Sequence, residues 1–127
     1  MAKINFEFKP KDGPTEQFFS KARKIQIKPL YEKWGQLGVN ALAAATPKDT
    51  GLTASSWRYE IIHTRDIWTL SFLNDDVVGY TVVAIILQYG HVSKSGGFVP
   101  GQDYINPAIQ PIFDGLQSEL EGVLNAL

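Results

Sequence analysis

The fold is decided by residues 57–73 in the middle of the chain, which read WRYEIIHTRDIWTLSFL. In residues 57–61 every second residue is large and apolar, and the same spacing is found again in residues 68–72, after a short polar segment. The apolar positions are Trp57, Tyr59, Ile61, Trp68, Leu70 and Phe72. A period of two is typical of a strand with one buried face. The stretch therefore predicts a β-hairpin with one apolar face.

The residues before the hairpin predict a strand followed by a long helix. Residues 4–8 alternate between apolar and polar side chains, as in a half-buried strand. A helical pattern of apolar residues then runs from Phe18 to Ala45, with Thr15 as its N-cap. We expect Pro29 to kink this helix or divide it in two, and Pro47 to end it.

The residues after the hairpin predict a strand, a loop and a second helix. Residues 78–89 form a continuous apolar run rich in β-branched side chains, which favours a central strand completing a three-stranded antiparallel unit. Glycine, serine and proline are frequent in residues 91–102, which predicts a long mobile loop. The helix that follows has Asn106 as its N-cap, Pro107 in its first turn and an apolar stripe to Leu127.

These elements predict an α+β fold, in which a small antiparallel β-sheet packs against a long kinked N-terminal helix and a C-terminal helix. The chain has 127 residues and a mass of 14.1 kDa, which predicts a single domain spanning residues 1–127. Its most apolar run, residues 77–89, is too short to cross a bilayer, and its first residues lack the apolar stretch of a signal peptide. We therefore expect no membrane insertion and a cytoplasmic origin.

Basic and acidic residues are unevenly distributed along the chain. Residues 1–48 carry nine basic and four acidic side chains, whereas residues 49–127 carry three and nine. Such an uneven charge distribution either pairs two elements inside one fold or orients neighbouring subunits in a head-to-tail stack. The formal net charge of -1 argues against general nucleic-acid binding. A DNA-contacting module that uses Lys21, Lys24 and Lys28 of the first helix stays open as an alternative.

Residues that could carry chemistry are few. Asp49-Thr50-Gly51 matches the tripeptide of aspartic proteases, but it follows a predicted helix end at Pro47 and not a strand. We therefore interpret Pro47, Asp49, Thr50 and Gly51 as a structural turn. The alternative is a dimeric aspartic-protease-like hydrolase that uses Asp49. The chain has no cysteine, and its two histidines have no acidic partner at metal-ligand spacing. We predict that the protein is not an enzyme and uses no metal or cofactor.

Three further segments of the chain contain short motifs in a fixed order. Residues 41–55 read ALAAATPKDTGLTAS, residues 83–91 read VAIILQYGH, and residues 103–109 read DYINPAI. In order and spacing they resemble the small tail-completion or neck proteins of long-tailed bacteriophages and their prophage relatives. The corresponding motifs of that family are T-P-x-D-T-G-x-L-x-x-S, Y-A-x-x-V-E-F-G-T and P-F-L-R-P-A-L. The resemblance covers nearly the whole chain.

The chain departs from the family pattern at several positions. Val83 stands where a tyrosine is usual, Gln88 where a glutamate is usual, and Asn106 where an arginine is usual. An ion pair between the last two family positions is therefore absent here. Leu52 follows Gly51 one residue earlier than in many members, which affects only the local turn.

The resemblance implies a structural virion protein that forms a ring, commonly of six subunits, at the head-tail interface. Such a ring would join the tail-tube protein to the head-completion or connector protein, with transient DNA contact in its channel, after assembly in the host cytoplasm. We expect its contacts to involve the mobile loop and the exposed side of the first helix. The predicted contact residues are Lys21, Lys24, Lys28, Val92, Ser93, Lys94, Ser95, Gly96, Gly97 and Phe98.

Overall fold

The structure is a computed structural model that describes residues 3–8, 16–47, 51–64, 67–92 and 95–125. Its helices are α1 (Glu16–Ala45), α2 (Leu52–Ser55), α3 (Val83–Tyr89) and α4 (Ile105–Asn125). Its strands are β1 (Lys3–Phe8), β2 (Trp57–Thr64), β3 (Ile67–Asn74), β4 (Val77–Val78), β5 (Thr81–Val82), β6 (Gly90–Val92) and β7 (Phe98–Pro100). The predicted α+β class, with a small antiparallel sheet and N- and C-terminal helices, is confirmed. No helix in the described ranges is long and apolar enough to span a membrane.

The main sheet is antiparallel, and its strands lie in the order β1, β3, β2. The register aligns Ile4, Phe72 and Tyr59 across the three strands, and the apolar rows repeat at alternate positions. Because alternate residues of a strand share a face, the predicted apolar face is confirmed for the three strands, but in β3 Ser71 and Leu73 on the opposite face are buried as well. Phe72 and Leu70 of the central strand are completely buried.

Helices α1 and α4 pack together on this apolar face and supply the rest of the core. A Cβ atom at Gly35 of α1 would lie 2.6 Å from the ring of Tyr59, and one at Gly38 would overlap the ring of Phe72. Glycine lowers the intrinsic stability of a helix. Here that cost is offset because the two glycines let α1 approach the sheet closely.

The predicted central strand at residues 78–89 is wrong. Strands β4 and β5 pair through a turn in which Gly79 has φ +62°, and α3 follows directly. A short apolar run does not by itself distinguish a buried strand from a buried helix. Ala84 and Gln88 lie four residues apart and are the buried residues of α3. The third strand of the main sheet is instead β1, on the other side of β3.

Two further predictions are corrected. Strands β6 and β7 pair, so residues 91–92 and 98–100 of the predicted loop lie in strands. Helix α4 begins at Ile105, so Asn106 lies inside the first turn and is not the N-cap. At Pro29 a kink or a division was expected, and helix α1 continues through the proline undivided. Thr15, the predicted N-cap of α1, lies outside the described residues.

Candidate interaction site

Gln88 joins the last turn of α3 to the start of α4. Its side chain is buried, and its Oε1 accepts hydrogen bonds from the backbone amides of Tyr104 (2.9 Å) and Ile105 (2.8 Å). Its Nε2 donates to Oδ1 of Asp103 (2.7 Å), which also accepts from Nδ2 of Asn106 (3.0 Å). The first amides of a helix have no partner within the helix. Gln88 therefore caps α4 from another element.

A second set of buried hydrogen bonds joins Tyr104 to α3 and β2 to the end of α1. The hydroxyl of Tyr104 donates to the carbonyl of Ala84 (2.7 Å), and Nε1 of Trp57 donates to Oγ1 of Thr46 (2.8 Å). Thr46 in turn donates to the carbonyl of Leu42 (2.6 Å), and all five residues are buried. Burial raises the pKa of Tyr104 to about 12, against a smaller opposing effect of the Thr46 side chain.

We call these residues the Gln88 junction; they are Thr46, Trp57, Ala84, Gln88, Asp103, Tyr104 and Ile105. The junction brings together the three segments that carry the family resemblance, at residues 41–55, 83–91 and 103–109. Sequence reasoning noted Gln88 only as a departure from a motif and missed its role. The available signal was a single amide side chain within an apolar run, since buried polar groups need hydrogen-bond partners.

Residues 90–100 form a hairpin, which we call the hairpin arm, and its base is fixed beside the junction. The backbone amide of Gln102 donates to the carbonyl of Leu87 (2.9 Å). Gly90 has φ +87°, and a Cβ atom there would lie 2.5 Å from the carbonyl oxygen of Val99. Only glycine combines this backbone angle with such a close approach. The arm therefore leaves the body of the protein at a defined place.

The arm is exposed beyond its first residue. Val92 and Phe98 expose 69% and 65% of their surfaces, and Val99 is also exposed. Residues 95–97 are exposed at the turn, whereas residues 93–94 lie outside the described residues. The described part of the predicted contact loop is thus an exposed apolar hairpin.

Exposed apolar side chains are concentrated in and before the arm. Of the eleven large hydrophobic side chains that are exposed in the described ranges, seven lie between residues 77 and 99. They are Val77, Val78, Tyr80, Tyr89, Val92, Phe98 and Val99. Sequence reasoning placed residues 78–89 in a buried strand and so missed three members of this set, Val78, Tyr80 and Tyr89, as surface residues. The available signal was Gly79, because an isolated glycine within a strand pattern indicates an interruption of the strand.

The structure describes one side chain of the predicted basic contact set on α1. Lys28 is exposed, whereas the side chains of Lys21 and Lys24 lie outside the described part of the structure. Elsewhere on this helix, Nζ of Lys33 lies 2.6 Å from Oε1 of Glu119 on α4. Part of the charge asymmetry therefore pairs two elements inside one chain, the first of the two interpretations given above.

The predicted structural turn lies between α1 and α2. Pro47 follows the end of α1, and Gly51 has φ +81°, a backbone angle that favours glycine. Asp49 and Thr50 lie outside the described residues. The Asp-Thr-Gly tripeptide is therefore placed between two helices and not at the end of a strand.

Other polar groups that could serve chemistry are engaged in local contacts. The ring of His63 stacks on Trp68, with 4.0 Å between ring centres, and Oγ of Ser56 donates to the carbonyl of Leu52 (2.6 Å). Within the ranges that the structure describes, no group of three or more His, Cys, Asp or Glu side chains could hold a metal ion.

We compared the chain with protein-family models, with curated proteins and with solved structures. None of the three comparisons found a match.

Proposed function

We propose that the chain is a structural subunit of the head-tail junction of a long-tailed bacteriophage. Several copies form a ring that completes the end of the tail tube and joins it to the head connector. The subunit contacts the tail-tube protein on one side and the head-completion protein on the other. Its role is assembly and not catalysis.

The observation that carries this proposal is the Gln88 junction. Thr46 comes from the first of the three segments that resemble the tail-completion family, Ala84 and Gln88 from the second, and Tyr104 and Ile105 from the third. Hydrogen bonds join the second and third segments, from Tyr104 to Ala84 and from the start of α4 to Gln88, and the Thr46 side chain acts on the pKa of Tyr104. Motifs that meet in one buried, hydrogen-bonded unit serve a common structural purpose. This supports interpreting the three segments together and not as separate chance matches.

Two of the departures from the family pattern lie in or beside this unit and bond to the same residue. Gln88 and Asn106 occupy the positions where the family has glutamate and arginine, and both amides donate to Oδ1 of Asp103. A glutamate at position 88 would place a second carboxylate beside Asp103. The amide therefore suits this particular junction, with a network of neutral amides and Asp103 in place of an ion pair.

The hairpin arm offers the contact surface that such a subunit needs. Apolar side chains exposed in a cluster mark interaction sites in soluble proteins. Val92 and Phe98 lie on a hairpin whose base is fixed by Gly90 and by the junction. An apolar surface held at a defined place suits a partner that assembles on it.

The proposal is tested with the purified chain and the tail-tube protein of the same phage. Light scattering across a concentration series and electron microscopy of the mixture are expected to show rings or capped tube ends. A variant with Val92→Ser and Phe98→Ser is expected to keep its fold and to cap tube ends at least about tenfold less well, since each lost anchor costs on the order of 1 kcal/mol or more.

The matched control carries Leu37→Ser and Leu52→Ser, two exposed apolar positions outside the arm. It is expected to cap tube ends as well as the wild-type chain does. Equal loss of capping in both variants, or a wild-type chain that ignores tube ends, would contradict the proposal.

A further inference from the structure

We infer that β6 in the hairpin arm of one copy adds as a strand to the open edge of β2 in a second copy. The inference rests on the proposed ring for its setting and names the two surfaces that meet in it. The inference is based on two strand edges. One is part of the main sheet, and the other is part of the exposed arm.

The first edge belongs to β2, which is an outer strand of the main sheet. The backbone amide of Asp75 donates to the carbonyl of Ser56, just outside the β2–β3 ladder. Hydrogen-bonded pairs alternate along an antiparallel ladder. In this register Arg58, Glu60, Ile62 and Thr64 therefore bond to β3. The backbone groups of Tyr59, Ile61 and His63 are directed at the open edge.

The two halves of β2 differ in how this edge is protected. Charged side chains at an edge discourage pairing with another chain. Arg58 and Glu60 supply such charges in the first half, and Arg58 also pairs with Asp75. Residues 61–64 carry no charged side chain, and Ile62 exposes 41% of its surface. The second half of β2 is therefore an unprotected apolar edge.

The other outer strand of the main sheet has charged residues near both ends. β1 begins at Lys3, and Glu7 near its other end is exposed. Charges at both ends make β1 a poor acceptor for a neutral strand. The open half of β2 is thus the favoured acceptor edge.

The donor edge lies on the arm. β6 and β7 form a separate sheet of two strands, and a two-stranded hairpin is marginally stable by itself. Pro100 in β7 has no backbone N–H to donate, which makes β6 the better outer strand for pairing. Val92 at the end of β6 exposes an apolar side chain that matches Ile62 in kind.

A second copy is the occupant that these edges fit. The donor and the acceptor are different surfaces of the same chain, and neither β6 nor residues 61–64 of β2 contains Asp, Glu, Lys or Arg. Each copy can therefore donate its arm to one neighbour and accept the arm of another. Such head-to-tail contacts close into rings when the rotation between copies allows it.

Cross-linking through introduced cysteines tests this contact, since the natural chain has none. Val92→Cys and Ile62→Cys are made in separate chains, mixed and treated with a short bismaleimide. Residues facing each other on adjacent strands have Cβ atoms about 4.5–5.5 Å apart. We expect a covalent dimer from the mixture, and from a chain carrying both cysteines a ladder that ends at the size of the ring.

Leu37→Cys replaces Ile62→Cys in the matched control, because both positions have the same exposed fraction, 41%. We expect at least about tenfold less dimer from this control. Thr64→Cys, also exposed on β2, serves if Ile62→Cys does not fold.

Equal cross-linking by the Leu37 control, or a chain that stays monomeric and uncross-linked at every concentration, would overturn the inference. If the wild-type chain caps tube ends and the cysteine variants do not cross-link through these positions, the inference fails and the proposed function stands. If the specific ladder forms and tube ends are ignored, the strand contact is supported and the proposed function fails.

Discussion

The main sheet and the hairpin arm differ in how far their apolar side chains are buried, as two phenylalanines show. Phe72 lies at the centre of the main sheet and is completely buried, whereas Phe98 lies on the hairpin arm and exposes 65% of its surface. In the body, apolar side chains stabilise the monomer because they leave water on folding. In the arm, equally apolar side chains stay in contact with water. Apolar residues in this chain therefore stabilise the fold in one region and remain exposed in the other, where we propose that they contact a partner.

The largest expected effect separates the two phenylalanines directly. Phe72→Ala is expected to reduce the free energy of unfolding by about 3–5 kcal/mol, because it removes buried contacts and leaves a cavity. Phe98→Ala is expected to change it by about 0.5 kcal/mol or less, as for other exposed positions. Chemical denaturation of both variants measures the difference. Similar losses for the two would show that the arm is part of the monomer's core.

The next effect concerns the boundary between the regions. Gln88→Ala is expected to cost about 1–3 kcal/mol, because the buried amides of Tyr104 and Ile105 lose their acceptor. Gln88→Glu keeps an acceptor, but it loses the donor to Asp103 and places a second carboxylate beside it, so it is also expected to lower the unfolding free energy at neutral pH. Hydrogen exchange is expected to show faster exchange at the start of α4 in the alanine variant.

Gln110→Ala is the matched control for the Gln88 variants. Gln110 is exposed on α4 and bonds only to Asp114, one turn further along, among the hydrogen bonds described. We expect its unfolding free energy to stay within about 0.5 kcal/mol of the wild type. A loss of unfolding free energy as large as that of Gln88→Ala would mean that replacing any glutamine bonded to α4 destabilises the protein, and that loss of the cap is not the specific cause.

A smaller effect is expected at Tyr104, and it depends on pH. Burial raises its pKa from 10.0 to about 12, so folding favours the neutral phenol. This stabilisation is fully present below pH 10 and is lost as the pH rises through 12. Tyr104→Phe is expected to cost about 0.5–1.5 kcal/mol at neutral pH through the lost bond to Ala84.

Denaturation of the wild type and Tyr104→Phe at a series of pH values between 9 and 12 tests this. The variant is expected to lose less stability across that interval than the wild type does. Parallel curves would show that the Tyr104 hydroxyl does not contribute to the alkaline loss of stability.

The smallest effect is expected on the surface of the body. Lys33 and Glu119 pair at 2.6 Å, but their side chains are 54% and 36% exposed. Exposed ion pairs contribute roughly 0.2–1 kcal/mol, and salt weakens them. Lys33→Ala is therefore expected to lower the unfolding free energy by at most this amount, and by less in 1 M salt. A larger loss that persists in salt would indicate that the Lys33 stem contributes packing between α1 and α4.

The body could be predicted from the sequence and the arm could not, for a physical reason. The large apolar side chains of residues 57–72 share the face that packs on the helices, which produces a period of two in the sequence even though the second half of β3 is buried on both faces. Residues 78–89 are apolar on all sides, so no period distinguishes the short strands, the turn and α3. The predicted contact residues Val92 and Phe98 are indeed exposed, but their hairpin pairing was not visible among glycine and serine.

By itself the sequence determined the apolar face of the hairpin and the buried stripe of the C-terminal helix, because periodic apolar spacing is a local record of burial on one side. It did not determine the buried face of the first helix in full, since Leu37 is exposed there and Ile27 is completely buried. Only the tertiary structure decided that β1 lies beside β3, that Gln88 caps α4, and that the apolar arm stays in water. Each of these depends on which distant segment supplies a hydrogen-bond partner or a covering surface. A local pattern contains no information about that choice, so it becomes visible only when the chain is packed.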